Sequence, residues 1–196
     1  QVYTDFIKVL PTVWDETIVL DRSEIGAHRE ALLAVTIPEA VGSFRALCAS
    51  FGSRNITELC TRFSDPVKAR VLVGIKISGR EDVAEVLAER HSKGFGAVDL
   101  TDNEFAKVHL RHRVGGNAPQ VLHERLLRFT FPERPGALLD FMDAMRVDFS
   151  ISLFQYRYHG ADFGRVLVGF EVPEEKRGVF EEFLQRVEGM GYPHVE

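Results

Sequence analysis

The chain repeats itself, and that repeat restricts its fold more than any other feature of its 196 residues. LLAVTIPEAVGSF, Leu32 to Phe44, returns as LRFTFPERPGAL, Leu127 to Leu138, with Gly42 matching Gly136 94 positions later. NITELCTRF (Asn55 to Phe63) returns as SISLFQYRY (Ser150 to Tyr158), and RVLVGIKI (Arg70 to Ile77) as RVLVGFEV (Arg165 to Val172), now 95 positions apart. One inserted residue accounts for the change of spacing. Two copies of one supersecondary unit therefore set the architecture.

Within each copy, residue types predict the order βαββαβ. Leu33 to Ile37 is rich in apolar and β-branched residues and suits a strand that Pro38 ends. The P-E-x-x-G run is a turn into a helix over Ser43 to Phe51, whose apolar residues Phe44, Leu47, Cys48 and Phe51 share one face, with Gly52 as its stop. Strands at Ile56 to Phe63 and Arg70 to Ser78, a helix at Glu81 to Lys93 and a strand at Phe95 to Leu100 complete the copy. The second copy predicts strand Leu126 to Phe131, helix Ala137 to Met145, strands Ser150 to Tyr158 and Arg165 to Val172, helix Glu174 to Val187 and strand Tyr192 to Val195. Between the copies, Thr101 and Glu104 have capping-box spacing, which predicts a linker helix starting at Thr101 before a flexible Val114 to Pro119 join. The expected organisation is an appendage over residues 1–29, one unit over 30–100, a linker over 101–120 and a second unit over 121–196. The fold class is α+β: two tandem ferredoxin-like βαββαβ units with antiparallel sheets and helices on one face.

Composition narrows function mainly by exclusion. A net charge of −5, with no basic stripe, argues against nucleic acid, and 45% hydrophobic residues with 27% charged describe an ordinary globular chain. Apolar runs such as Val71 to Ile75 are too short to span a bilayer and the first residues lack a secretory signal, so no membrane partner and a cytoplasmic location are expected. Cys48 and Cys60 read as free thiols. His109 and His112, with His123 downstream, are too few convergent ligands for a metal, and neighbouring Asp15 and Glu16 beside Trp14 are a poor acid/base pair. No catalytic residue, metal or cofactor is expected in the chain.

The duplicated turn is the best candidate site. It leads into a helix N-terminus, where open amides and the helix dipole suit a carboxylate, and glycine permits close approach. In copy two the candidates are Gly136, Ala137, Leu138 and Met142 from turn and helix, with Ser150, Phe154 and Tyr156 on one face of the following strand. In copy one they are Gly42, Ser43, Phe44, Asn55 and Thr61. Each site is expected to lie within one copy. Copy two retains the P-G turn and Tyr156, whereas copy one has Val41 and Thr61 there, which predicts one competent and one altered site.

ALLAVTIPEAVGSF, NITELCTRF, LTDNEFAKVHLRHRVGG, ERLLRFTFPERPGALL and ISLFQYRYHGADFGRVLVGFEVP together resemble the C-terminal regulatory, ACT-like region of biosynthetic threonine dehydratases, from about Ser23 onward. The resemblance implies ACT-like units that bind isoleucine as feedback inhibitor and valine as antagonist. It also implies a pyridoxal-phosphate catalytic domain as partner, a tyrosine at position 156 in the effector site, and a homo-oligomer. The alternative is an oligomerisation scaffold whose ligand site has decayed. Residues 1–20 are similar instead to a short bacterial α-glucosidase segment containing P-T-x-W-D-E-T, too short to build a glycosidase site.

Overall fold

In the computed structural model, residues 30–110, 118–132, 134, 136–146, 149–158 and 162–196 are described. Trp14, Asp15, Glu16 and His112 lie outside them, as does the glucosidase-like segment. The first unit runs β1 (Glu30–Pro38), α1 (Ser43–Ser50), β2 (Ile56–Arg62), β3 (Lys68–Lys76), α2 (Arg80–Ser92) and β4 (Gly96–Asp99). The second runs β5 (Glu124–Pro132), α3 (Ala137–Ala144), β6 (Ser150–Arg157), β7 (Phe163–Glu171), a 3₁₀ turn at Glu174–Lys176, α4 (Arg177–Gly189) and β8 (His194–Val195). Both are the βαββαβ units that the repeat predicts.

The two sheets are one. Strand order is β4-β1-β3-β2-β6-β7-β5-β8, and every pairing is antiparallel. The central seam pairs β2 with β6 from Glu58 opposite Arg157 to Arg62 opposite Leu153. Cys60 and Gln155, matched positions of the two copies, face each other there, so a pseudo-twofold axis passes between them. Joining two edge strands satisfies backbone groups that each unit alone would leave open.

Alternation along the strands directs one face to the helices. Leu33, Val35 and Ile37 of β1 join Val71, Val73 and Ile75 of β3 beneath Phe44, Leu47, Val83 and Val86. The second unit places aromatic rings at matched positions: Phe129 for Val35, Phe131 for Ile37, Phe170 for Ile75. These rings pack with Phe141, Phe180, Phe183 and Tyr192 largely edge-on, as their quadrupoles favour. On the opposite face, Leu32, Leu72, Leu100 and Ala106 form a second, smaller cluster.

The linker departs from its predicted cap. A turn leads into a short π-helical segment at Ala106–Leu110, and the Ala106 amide donates to the Asn103 side chain at 2.9 Å, so Asn103 is the cap. Thr101 is committed elsewhere: its hydroxyl donates to Asp99 and accepts from the Leu32 amide at 3.1 Å. Strand β8 is shorter than predicted because Tyr192 is fully buried and its hydroxyl donates to the Ala137 carbonyl at 2.8 Å. Both cysteines are free, and burial pushes the Cys48 thiol up to about 12 and the Cys60 thiol up to about 11.

Candidate functional site

Two clefts straddle the seam, related by its pseudo-twofold axis. Each takes the strand-to-helix turn of one unit and the start of the second strand of the other. The larger, about 160 Å³, is lined by Phe131 and Pro132 at the end of β5, Arg134, Gly136, Ala137, Leu138 and Leu139 from the second unit's turn and helix start, Tyr156 of β6 and Tyr158 just beyond it. The first unit contributes Cys48, Gly52, Arg54, Asn55, Ile56, Thr57 and Lys76. The smaller cleft, about 30 Å³, is lined by residues 37–45, Thr61 and Ala69 from the first unit and Met145, Phe149, Ser150 and Ile151 from the second. That volume holds roughly one or two water molecules.

The turn chemistry is the same in both. Gly42 (φ 89°) and Gly136 (φ 83°) stand at the helix N-caps in the left-handed region, which glycine adopts without the Cβ penalty. The Ala137 amide, however, donates to the Arg134 carbonyl at 3.2 Å, and the Ser43 amide to the Ala40 carbonyl at 3.1 Å. Helix geometry leaves the next two amides, Leu138 and Leu139 in α3 and Phe44 and Arg45 in α1, without an intrahelical partner. The buried Tyr192 hydroxyl holds the Ala137 carbonyl and so fixes the first turn of α3. Sequence periodicity could not show this, because Tyr192 is 55 residues away.

Of the residues predicted from sequence, Gly136, Ala137, Leu138 and Tyr156 come together, and Asn55 joins them from the other unit. Ser150 does not. It lines the smaller cleft with Gly42, Ser43, Phe44 and Thr61, so the expectation of a site within each copy is corrected to a site shared between copies. The physical reason is the seam: antiparallel pairing of β2 with β6 carries the start of each strand to the other unit's turn. Met142 and Phe154 are fully buried and belong to the core, where the Phe154 ring lies 5.1 Å from that of Phe44 across the seam. Thr61, the counterpart of Tyr156, spends its hydroxyl on the Arg70 carbonyl at 3.0 Å.

Arg54, Lys76 and Arg134, which the sequence reading missed, line the larger cleft; no carboxylate does so among the described residues. Arg54 pairs with Asp82 at 2.7 Å and Arg134 with Asp140 at 2.6 Å. The smaller cleft contains Glu39, whose carboxyl is pushed up to about 7 by burial, then by Asp65 and Glu171 nearby. No cluster of metal-ligating side chains occurs among the described residues, nor any helix long and apolar enough to cross a membrane.

The class of protein that the fold defines is a fused pair of ferredoxin-like βαββαβ units with paired clefts. The model of the C-terminal regulatory domain of threonine dehydratase matches residues 21–110 and 115–196, and the chain belongs to that family. It is 48% identical over 178 residues to a biosynthetic L-threonine dehydratase of Burkholderia multivorans, covering 91% of this chain and 34% of that one. The corresponding enzyme of Escherichia coli is 46% identical over 175 residues, covering 89% and 33%, and the mitochondrial enzyme of Saccharomyces cerevisiae 37% over 185 residues, covering 90% and 31%. The chain thus spans about a third of the length of these relatives, and the shared third is regulatory rather than catalytic.

Proposed function

We propose that the chain senses a branched-chain amino acid, isoleucine as inhibitor and valine as its antagonist. In this reading it controls threonine deamination, in isoleucine biosynthesis, by a pyridoxal-phosphate catalytic domain. The observation that carries the reading is the composite cleft at Gly136. The ligand carboxylate sits on the open amides of Leu138 and Leu139, at the positive end of α3. Its aliphatic side chain lies against Leu138 and the Tyr156 ring, and its ammonium group meets neutral oxygens such as the Asn55 side chain.

Such a ligand touches both units at once. It therefore favours the arrangement in which β2 and β6 are paired as here, and a regulator acts only through unequal affinity for two arrangements. Calorimetry tests this directly. Isoleucine binds the chain, and Tyr156→Ala weakens binding at least tenfold, about 1.4 kcal/mol, while Tyr156→Phe retains most of it. Absence of binding to the unaltered chain contradicts the proposal and favours the scaffold reading, for which light scattering shows an oligomer indifferent to isoleucine.

A further inference from the structure

The two clefts share their backbone but not their charge. Each has a left-handed glycine at a helix N-cap and two open amides, so the main chain attracts a carboxylate equally in both. Side chains must supply any preference. At three positions matched by the repeat, the larger cleft alone has a cation: Arg134 stands where the first copy has Ala40, Arg54 where the second has Phe149, and Lys76 where the second has Glu171, and of these counterparts Ala40 and Phe149 line the smaller cleft.

These exchanges have separate structural consequences. Phe149 turns into the second unit's core, 5.1 Å from the Phe180 ring, and removes a cation from the smaller cleft. Arg54 and Arg134 already hold Asp82 and Asp140. Lys76 is different: it is exposed at the end of β3, lines the larger cleft and pairs with no carboxylate among the described residues. The smaller cleft carries Glu39 in its wall, with Asp65 and Glu171 close enough to disfavour its ionisation, and the one cation among its described lining residues, Arg45, is held by Asp143 at 2.5 Å.

We propose that Lys76 decides which cleft is occupied. It draws the ligand carboxylate into the Gly136 cleft, while the Gly42 cleft, with about 30 Å³ of space and its lining cation, Arg45, already paired with Asp143, takes none, so the chain binds one amino acid rather than two. This rests on the effector reading and adds its stoichiometry and a specificity determinant. Lys76 positions and attracts the carboxylate as a point charge; the amides of α3 complete its recognition.

Calorimetric titration of the chain with isoleucine tests the proposal, using Lys76→Glu, Lys76→Met, Lys76→Arg and Glu39→Gln alongside the unaltered protein. One molecule binds per chain; Lys76→Glu weakens binding at least tenfold, Lys76→Met several-fold, and Lys76→Arg keeps it within about threefold. Glu39→Gln leaves affinity and stoichiometry unchanged. Circular dichroism verifies the fold of each variant, and Lys76→Met carries the comparison if Lys76→Glu does not fold. Two equivalent molecules per chain, or full affinity in Lys76→Glu and Lys76→Met, overturns the proposal. No binding by the unaltered chain overturns the effector reading itself.

Discussion

Gly136 and Gly169 are both repeated glycines, but they are required for different reasons. At Gly136 φ is +83° and an added Cβ would meet nothing within 4 Å, so alanine there costs only backbone strain, about 1–2 kcal/mol. At Gly169 a Cβ would lie 2.6 Å from the Ser152 Oγ and 3.0 Å from both Leu126 Cδ2 and Leu153 Cβ. Its counterpart Gly74 would place one 2.7 Å from the Thr57 Oγ1. Thr57 and Ser152 sit at the bulges of β2 and β6, which explains why RVLVG recurs with its glycine. Urea denaturation should show Gly169→Ala losing about 2–3 kcal/mol by overpacking and Gly136→Ala less. Equal losses would contradict this account.

Glu39 makes a pH-dependent prediction at the same scale. Its carboxyl is raised by burial, Asp65 and Glu171 to about 7, so ionisation is harder in the folded chain than in the unfolded one. The resulting destabilisation is nearly absent at pH 4, grows between about 4.5 and 7 and is complete above 7. Glu39→Gln should therefore raise Tm at pH 8 and leave it unchanged at pH 4. A gain at both would show that polarity, not ionisation, is responsible.

Among the elements, the β2–β6 seam has the largest consequences. Besides its ladder, the Phe63 amide donates to the Ser152 carbonyl and the Tyr158 amide to the Thr57 carbonyl, both at 2.7 Å. On the face away from the helices, Arg62 of β2 reaches across β6 and β7 to form a bidentate pair with Glu124 of β5, which also accepts from the Ser152 hydroxyl. Burial acts to raise the Glu124 carboxyl, but the Arg62 and Ser152 hydrogen bonds outweigh it and hold the group below its usual range. Glu124→Gln removes the charge-assisted hydrogen bonds of this partly buried pair and should cost about 1.5–3 kcal/mol in denaturant unfolding. A loss under 0.5 kcal/mol, usual for exposed pairs, would show that the strut does not tie the units together.

The seam also marks where the sequence ceased to be legible. Alternation in β1, β3 and β5, the P-E-x-x-G turns and the spacing of Phe44, Leu47 and Cys48 are local signals, and the elements follow them closely. Which edge strands join is not local. Ser150 and Asn55 were therefore assigned to their own copies, although the seam exchanges them between clefts. Arg54 and Lys76 escaped notice for the same reason, and Tyr192 because its contact with Ala137 spans the fold.

At the scale of the whole molecule, duplication and fusion have made one eight-stranded sheet with a pseudo-twofold axis whose two clefts have diverged. Aromatic rings replace aliphatic side chains at several matched positions of the second core, and three cations line one cleft whereas the other has Glu39 and a paired Arg45. Because the larger cleft takes walls from both units, its ligand and the seam are energetically linked. The most direct test is a crystal structure of the chain grown with saturating isoleucine. One molecule should appear between the Gly136 turn and Asn55, its carboxylate on the Leu138 and Leu139 amides and its side chain against Tyr156. An empty Gly136 cleft, or isoleucine bound only at Gly42, would contradict the account.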